Sequence, residues 1–160
     1  MNAPTSDELK LFLKISVQLT GFTESELTGT GMLDTYYNTI LQNSAADDIK
    51  YFFENAKAIL ADPKQTPESI ADAISAQLIP SSQYSGLAKN IIMLWYTGSL
   101  FNMALAGQSN YIVNAESYKQ GLMWNAGHTH PPGAKQPGYG SWAHPPITVN
   151  PSTKNNSQKK

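Results

Sequence analysis

From Thr5 to Tyr96 the apolar residues recur at intervals of three and four, and no clean run of alternation interrupts them. That spacing places them on single faces of helices and leaves little room for a sheet. An all-α fold follows: a helical bundle of five to six helices. The punctuation agrees. Thr5-Ser6-Asp7-Glu8 has the Thr-x-x-Glu form of a capping box, and Gly21 suits a left-handed helix end. The first helix is therefore expected from Thr5, with Leu9, Phe12, Leu13, Ser16 and Leu19 on one face. The second is expected over Gly31 to Leu41, with Met32, Leu33, Tyr36, Tyr37 and Ile40 inward. The third covers Asp47 to Leu60 and is stopped by Asp62-Pro63. The fourth starts at Thr66-Pro67-Glu68, with proline at the first helical position, and ends at Pro80. The fifth, Ser82 to Tyr96, is the most apolar and belongs at the centre. From Thr97 to Val113 the pattern weakens. Asn114 then caps a short helix over Ala115 to Trp124.

After Trp124 the chain changes character. Between Gly127 and Pro146 there are five prolines and four glycines, which exclude helix and favour extended or turn conformations. The organisation expected is a bundle over 1–126, an extended arm over 127–150 and a disordered tail over 151–160. The arm is too rich in Pro and Gly to build a core, yet it carries Tyr139 and Trp142. Such a segment lies on something else.

Composition removes several functions. All eleven basic residues are lysines and the net charge is -1. Without the planar guanidinium fork that grips phosphate, nucleic-acid binding is disfavoured. With no cysteine, there is no disulfide, thiolate metal site or cysteine nucleophile. No apolar run reaches the roughly 18 residues that a bilayer span needs, and the N-terminus MNAPTSDELK shows no secretion signal. Charged residues are only 14% of the chain, against about a quarter in typical domains. A surface so poor in charge is one sign of a chain partly covered by a partner.

The chemical motifs are sparse. His128-Thr129-His130 would point two imidazoles one way if extended, with His144 as a possible third ligand; a solvated or partner-contacting loop is the simpler reading. Asp47-Asp48 falls where a helix starts and reads as cap and dipole charge, not as an acid/base pair. Gly29-Thr-Gly31 and Gly138-Tyr-Gly140 follow no strand and are not dinucleotide fingerprints. No nucleophile elbow is present. Trp95 lies on an apolar helical face and reads as core. Trp124 suits either core or interface. Trp142, between Tyr139 and Pro145-Pro146, is either an anchor in a partner's pocket or packed back on its own bundle.

The ordered set Phe12-x-x-x-Ser16-x-x-Leu19-Thr20-Gly21, Leu94-Trp95-Tyr96-Thr97-Gly98, Tyr118-x-x-x-Leu122-x-Trp124, Pro137-Gly138-Tyr139 and Trp142 with Pro145 resembles the small subunit of bacterial FAD-dependent sugar and polyol dehydrogenases, such as sorbitol, fructose and glucose dehydrogenases. The resemblance runs from about Leu9 to Pro146. It implies a non-catalytic companion, without cofactor or metal of its own. The companion binds, stabilises and matures a large subunit of the glucose-methanol-choline type, which holds FAD. In many such complexes a multihaem cytochrome c subunit takes the electrons. The expected location is the periplasm, as a processed form or by export with the partner, since paired arginines are absent. Partner contact is expected through Tyr96, Thr97, Trp124, Pro137, Gly138, Tyr139, Trp142, Pro145 and Pro146. The alternative is a stand-alone helical module that binds metal or a protein partner.

Overall fold

The computed structural model describes residues 5–62, 66–80, 86–101 and 110–134. Among them the chain is a helical bundle with one small ribbon. Its elements are α1 (Ser6–Thr20), α2 (Glu24–Gly29), α3 (Leu33–Asn43), α4 (Ala46–Ala61), α5 (Pro67–Gln77), α6 (Leu87–Thr97), β1 (Ser99–Leu100), β2 (Tyr111–Ile112), α7 (Ala115–Lys119) and α8 (Leu122–Ala126). The all-α reading holds.

The helix ends follow local chemistry. Thr5 caps α1 with a reciprocal capping box to Glu8, and Gly21 closes it in the left-handed conformation at φ 76°. Thr23 and Glu26 repeat the device on α2. Thr66 caps α5, with Pro67 at the first position. On α4 the acidic pair Asp47 and Asp48 lies in the first turn, while the cap position, Ala45, has no side-chain bond. The pair therefore complements the helix dipole without capping.

Helix α6 is the hub, touching α1, α3, α4, α7, α8 and β1. Its buried residues Leu87, Ala88, Ile91, Leu94 and Trp95 join Phe12 and Ile15 of α1, Tyr36 and Ile40 of α3, and Phe52 of α4 in one core. Fully burying side chains of this size contributes about 1.5–3 kcal/mol each.

Four features differ from the sequence reading. Helix α2 lies in a stretch read as connection. The segment read as one helix over Ala115 to Trp124 is two, α7 and α8, parted at Gly121. Helix α3 starts at Leu33, two residues after Gly31, which takes φ 69°. Strands β1 and β2 pair antiparallel, with Ser99 opposite Ile112 and Leu100 opposite Tyr111. The expected start of the fifth helix, Ser82 to Ser85, lies outside the described residues.

Candidate functional site

Three stretches far apart in sequence meet at the C-terminal end of α6. The first contact is aromatic. Trp95 is fully buried, stacked on Phe12 of α1 with ring centroids 6.3 Å apart, and meets Tyr36 of α3 edge-on at 4.9 Å. Its indole N–H has no acceptor among the described residues. The cost of about 1–3 kcal/mol is set against the burial of a large aromatic surface. Tyr96, one residue on, sits half-buried. Its hydroxyl donates to the Thr20 carbonyl at 3.0 Å, and its ring meets Phe22 edge-on at 5.8 Å. The first and second stretches are thus joined through both side chains of the Trp95-Tyr96 pair.

Gly98 makes the second junction. It ends α6 with φ 68°, and its N–H donates to the Leu94 carbonyl at 2.9 Å. Its own carbonyl accepts from the Val113 N–H at 3.0 Å and the Ser117 hydroxyl at 2.9 Å. A β-carbon here would stand 2.3 Å from the Ser117 carbonyl oxygen, so only glycine fits. Ser117 is wholly buried. Its hydroxyl accepts from the Asn114 N–H at 3.0 Å and shares its single proton between the Gly98 and Asn114 carbonyls. Gly121 is similarly confined, for its β-carbon would lie 2.8 Å from the Tyr96 carbonyl oxygen. The close approach falls where α7 and α8 part.

The third junction starts the arm. Trp124 donates its indole N–H to the Tyr118 carbonyl at 2.8 Å, with the two rings edge-to-face at 5.4 Å. The backbone then turns: Gly127 donates to Met123, His128 to Asn125 and Thr129 to Trp124. Pro131 is buried, and the Tyr118 hydroxyl donates to the Pro132 carbonyl at 3.4 Å. Between this segment and the end of α2 lies a polar cleft of about 280 Å³, with Glu26, Thr30, Gln120, Trp124 and His130 in its walls. The Glu26 carboxylate is turned back on Thr23 by the capping box, whose hydrogen bonds hold its pKa below the ordinary value.

The expected contact residues fall into two groups. Tyr96, Thr97 and Trp124 are half-buried and lie at this junction. Thr97 spends its hydroxyl on the Met93 carbonyl at 2.7 Å. Pro137, Gly138, Tyr139, Trp142, Pro145 and Pro146 lie outside the described residues. The two histidines are not aligned as an extended segment would align them. His128 takes φ 50°, a left-handed turn conformation, so period-two alternation does not align it with His130. Among the described residues no three His, Cys, Asp or Glu side chains gather around a metal-sized space; His144 lies outside them. The remaining shifted groups are explained locally: Glu8 is lowered by its cap bonds to Thr5, while burial raises Tyr36 and Tyr37. No helix among the described residues is long and apolar enough to cross a membrane.

Sequence reasoning missed a second surface. The outer side of α6 carries Ile92 and Met93, which with Phe101 and Lys89 enclose an apolar hollow of about 410 Å³. Ile112, on the outward face of the ribbon, is 53% exposed. The signal was present in α6 itself: Ile91, Ile92 and Met93 in succession cannot all face one side of a helix.

No protein-family model, curated protein or solved structure matches this chain.

Proposed function

We propose that this chain is the non-catalytic small subunit of an FAD-dependent sugar or polyol dehydrogenase. It binds, stabilises and matures a large catalytic subunit of the glucose-methanol-choline type. The flavin and the chemistry belong to that partner. A multihaem cytochrome c subunit completes the electron path in this reading, and the complex works in the periplasm.

One observation carries the proposal. The residue blocks behind the resemblance, around Phe12–Gly21, Leu94–Gly98 and Tyr118–Trp124, converge on one junction through Phe12–Trp95 stacking, the Tyr96–Thr20 bond and the Gly98–Ser117 contact. The junction lies immediately before the Pro/Gly-rich segment that starts at Gly127. Apolar surface outside the core, at Ile92, Met93 and Ile112, adds an area suited to a permanent interface. An obligate interface of this kind buries at least about 2,000 Å². Binding only the folded large subunit stabilises it by mass action.

The test is co-expression with an FAD-bearing sugar dehydrogenase large subunit. Met93→Asp and Ile112→Asp each place a charge on the outer surface without touching the core. Each should lower recovery of the flavin-loaded complex, while circular dichroism of the small chain stays unchanged. Full recovery with both variants would count against this surface as the interface.

A further inference from the structure

Given the subunit reading above, on which this rests, we propose that the partner surface covering the outer side of α6 is acidic. It presents an apolar side chain to the hollow there and a carboxylate to Lys89.

The charges of this chain are segregated along its length. Residues 1–86 carry eleven of its twelve Asp and Glu side chains, with five lysines. Residues 87–160, from the start of α6 onward, carry one carboxylate, Glu116, and six lysines. From Asn90 to Ala115 there is no charged residue, and after Glu116 there is no Asp or Glu. The net charge of -1 therefore covers an acidic first part and a basic second part.

The fold brings that division to one surface. The hollow of about 410 Å³ beside α6 is walled by Ile92, Met93 and Phe101, with Asn110 and Lys89 completing it. Among the described residues no carboxylate lines it. All twelve Asp and Glu residues lie among the described residues, and none pairs with the exposed Lys89. Glu116 is engaged elsewhere, by Lys119 at 3.3 Å and by the Gln120 amide at 2.7 Å. The hollow adjoins the ribbon, since Phe101 directly follows β1 and Asn110 directly precedes β2, and the ribbon carries the exposed Ile112.

Apolar walls accept any apolar side chain, so charge sets the choice of partner. An ammonium with no carboxylate beside it disfavours a cationic rim and gains from an anionic one. Lys135, Lys154, Lys159 and Lys160 lie outside the described residues, and by sequence they add charge of the same sign. Their attraction steers encounter with an acidic surface and fades beyond about 8–10 Å at physiological salt. A concave, apolar-walled site suits a protruding side chain of a protein better than the plane of a bilayer.

One test uses a synthetic helix of about 14 residues, with Leu at i, i+3, i+4 and i+7 and Glu on both flanks, and a counterpart with Lys in place of Glu. Each is titrated into the isotope-labelled full-length chain and followed by amide chemical shifts. The Glu peptide should move resonances of Lys89 to Met93 and of Ile112. It should bind at least about threefold more tightly than the Lys peptide, and the difference should shrink with salt and vanish in Lys89→Glu. Vesicles of phosphatidylcholine and phosphatidylglycerol should leave those resonances in place. Equal binding of the two peptides, shifts confined to α1 and α4, no binding, or binding of the vesicles alone would overturn the proposal. The second test is recovery of the complex with the large subunit. Lys89→Glu should lower it, and Lys50→Glu, on α4, should not. Equal recovery of both variants would overturn the acidic surface and leave the subunit reading standing. No complex even with the unaltered chain, beside the expected peptide result, would sink the subunit reading instead.

Discussion

Gly98 and Gly21 both end helices with positive φ, yet they carry different burdens. Around Gly21 a β-carbon would meet nothing within 4 Å; at Gly98 it would stand 2.3 Å from the Ser117 carbonyl oxygen. Gly21→Ala should therefore cost only the left-handed backbone penalty, about 1–2 kcal/mol. Gly98→Ala should cost that and a displaced α7, at least about 3 kcal/mol in all. Urea unfolding of both variants checks the order, and equal midpoints would contradict it. Protonation also acts at this scale. Tyr36 is buried beside Trp95, and burial raises its hydroxyl well above the ordinary value of 10.0. The unfolded chain therefore ionises first as pH rises past 10. Stability that is constant below that pH is lost above it. The part of the tyrosinate absorbance that belongs to Tyr36 should appear only with the loss of helical circular dichroism. Ionisation of every tyrosine before unfolding would contradict this. Glu8 and Glu26 have the opposite sign: lowered pKa values make their cap bonds present above the ordinary 4.5 and lost as pH falls below it.

Short elements here depend on their ends. Helix α2 has six residues and one buried side chain, Leu27, so its reciprocal Thr23–Glu26 cap supplies a large share of its stability. Thr23→Ala should cost about 1 kcal/mol. It should raise amide exchange over Glu24–Gly29 before that of α1, whose face is anchored by Phe12 and Ile15. Uniform exchange changes across both helices would contradict this local role. The long elements were legible because caps and periodicity agreed: Thr5 and Gly21 bound α1, and Thr66-Pro67 opens α5, as the residues indicate. What stayed hidden was tertiary or too short for a period. Thr23-x-x-Glu26 repeats the capping signature, but its helix is under two turns. Two-residue strands cannot show alternation. The break falls at Gly121, where the backbone comes close to the Tyr96 carbonyl, 25 residues earlier in sequence. At the candidate site, Tyr96 and Trp124 were legible as aromatics near the arm. The Ser117 hydroxyl beneath Gly98 was not, because nothing in a lone serine distinguishes a buried linchpin from a surface residue.

At the scale of the whole bundle, the described residues put the core around α6 and show apolar surface in two other places: the outer face of α6 and the α1–α4 groove. Charged residues are 14% of the sequence, and Lys89 is the one charged side chain among the described residues that line the hollow beside α6. A subunit that works by being covered has this character. The proposed partner covers the α6 side and receives the arm. On that account Trp142→Ala should reduce flavin-loaded complex without altering the bundle's own unfolding midpoint, since an anchor contributes only when docked. A lowered midpoint in the isolated chain would instead place Trp142 on its own bundle. The most direct measurement is the flavin content of a sugar or polyol dehydrogenase large subunit, purified after expression with and without this chain. The account predicts a stable complex carrying both chains and bound FAD, and a large subunit that is poorly flavinated when expressed alone. A large subunit equally flavinated without it, with this chain eluting separately, would contradict the account.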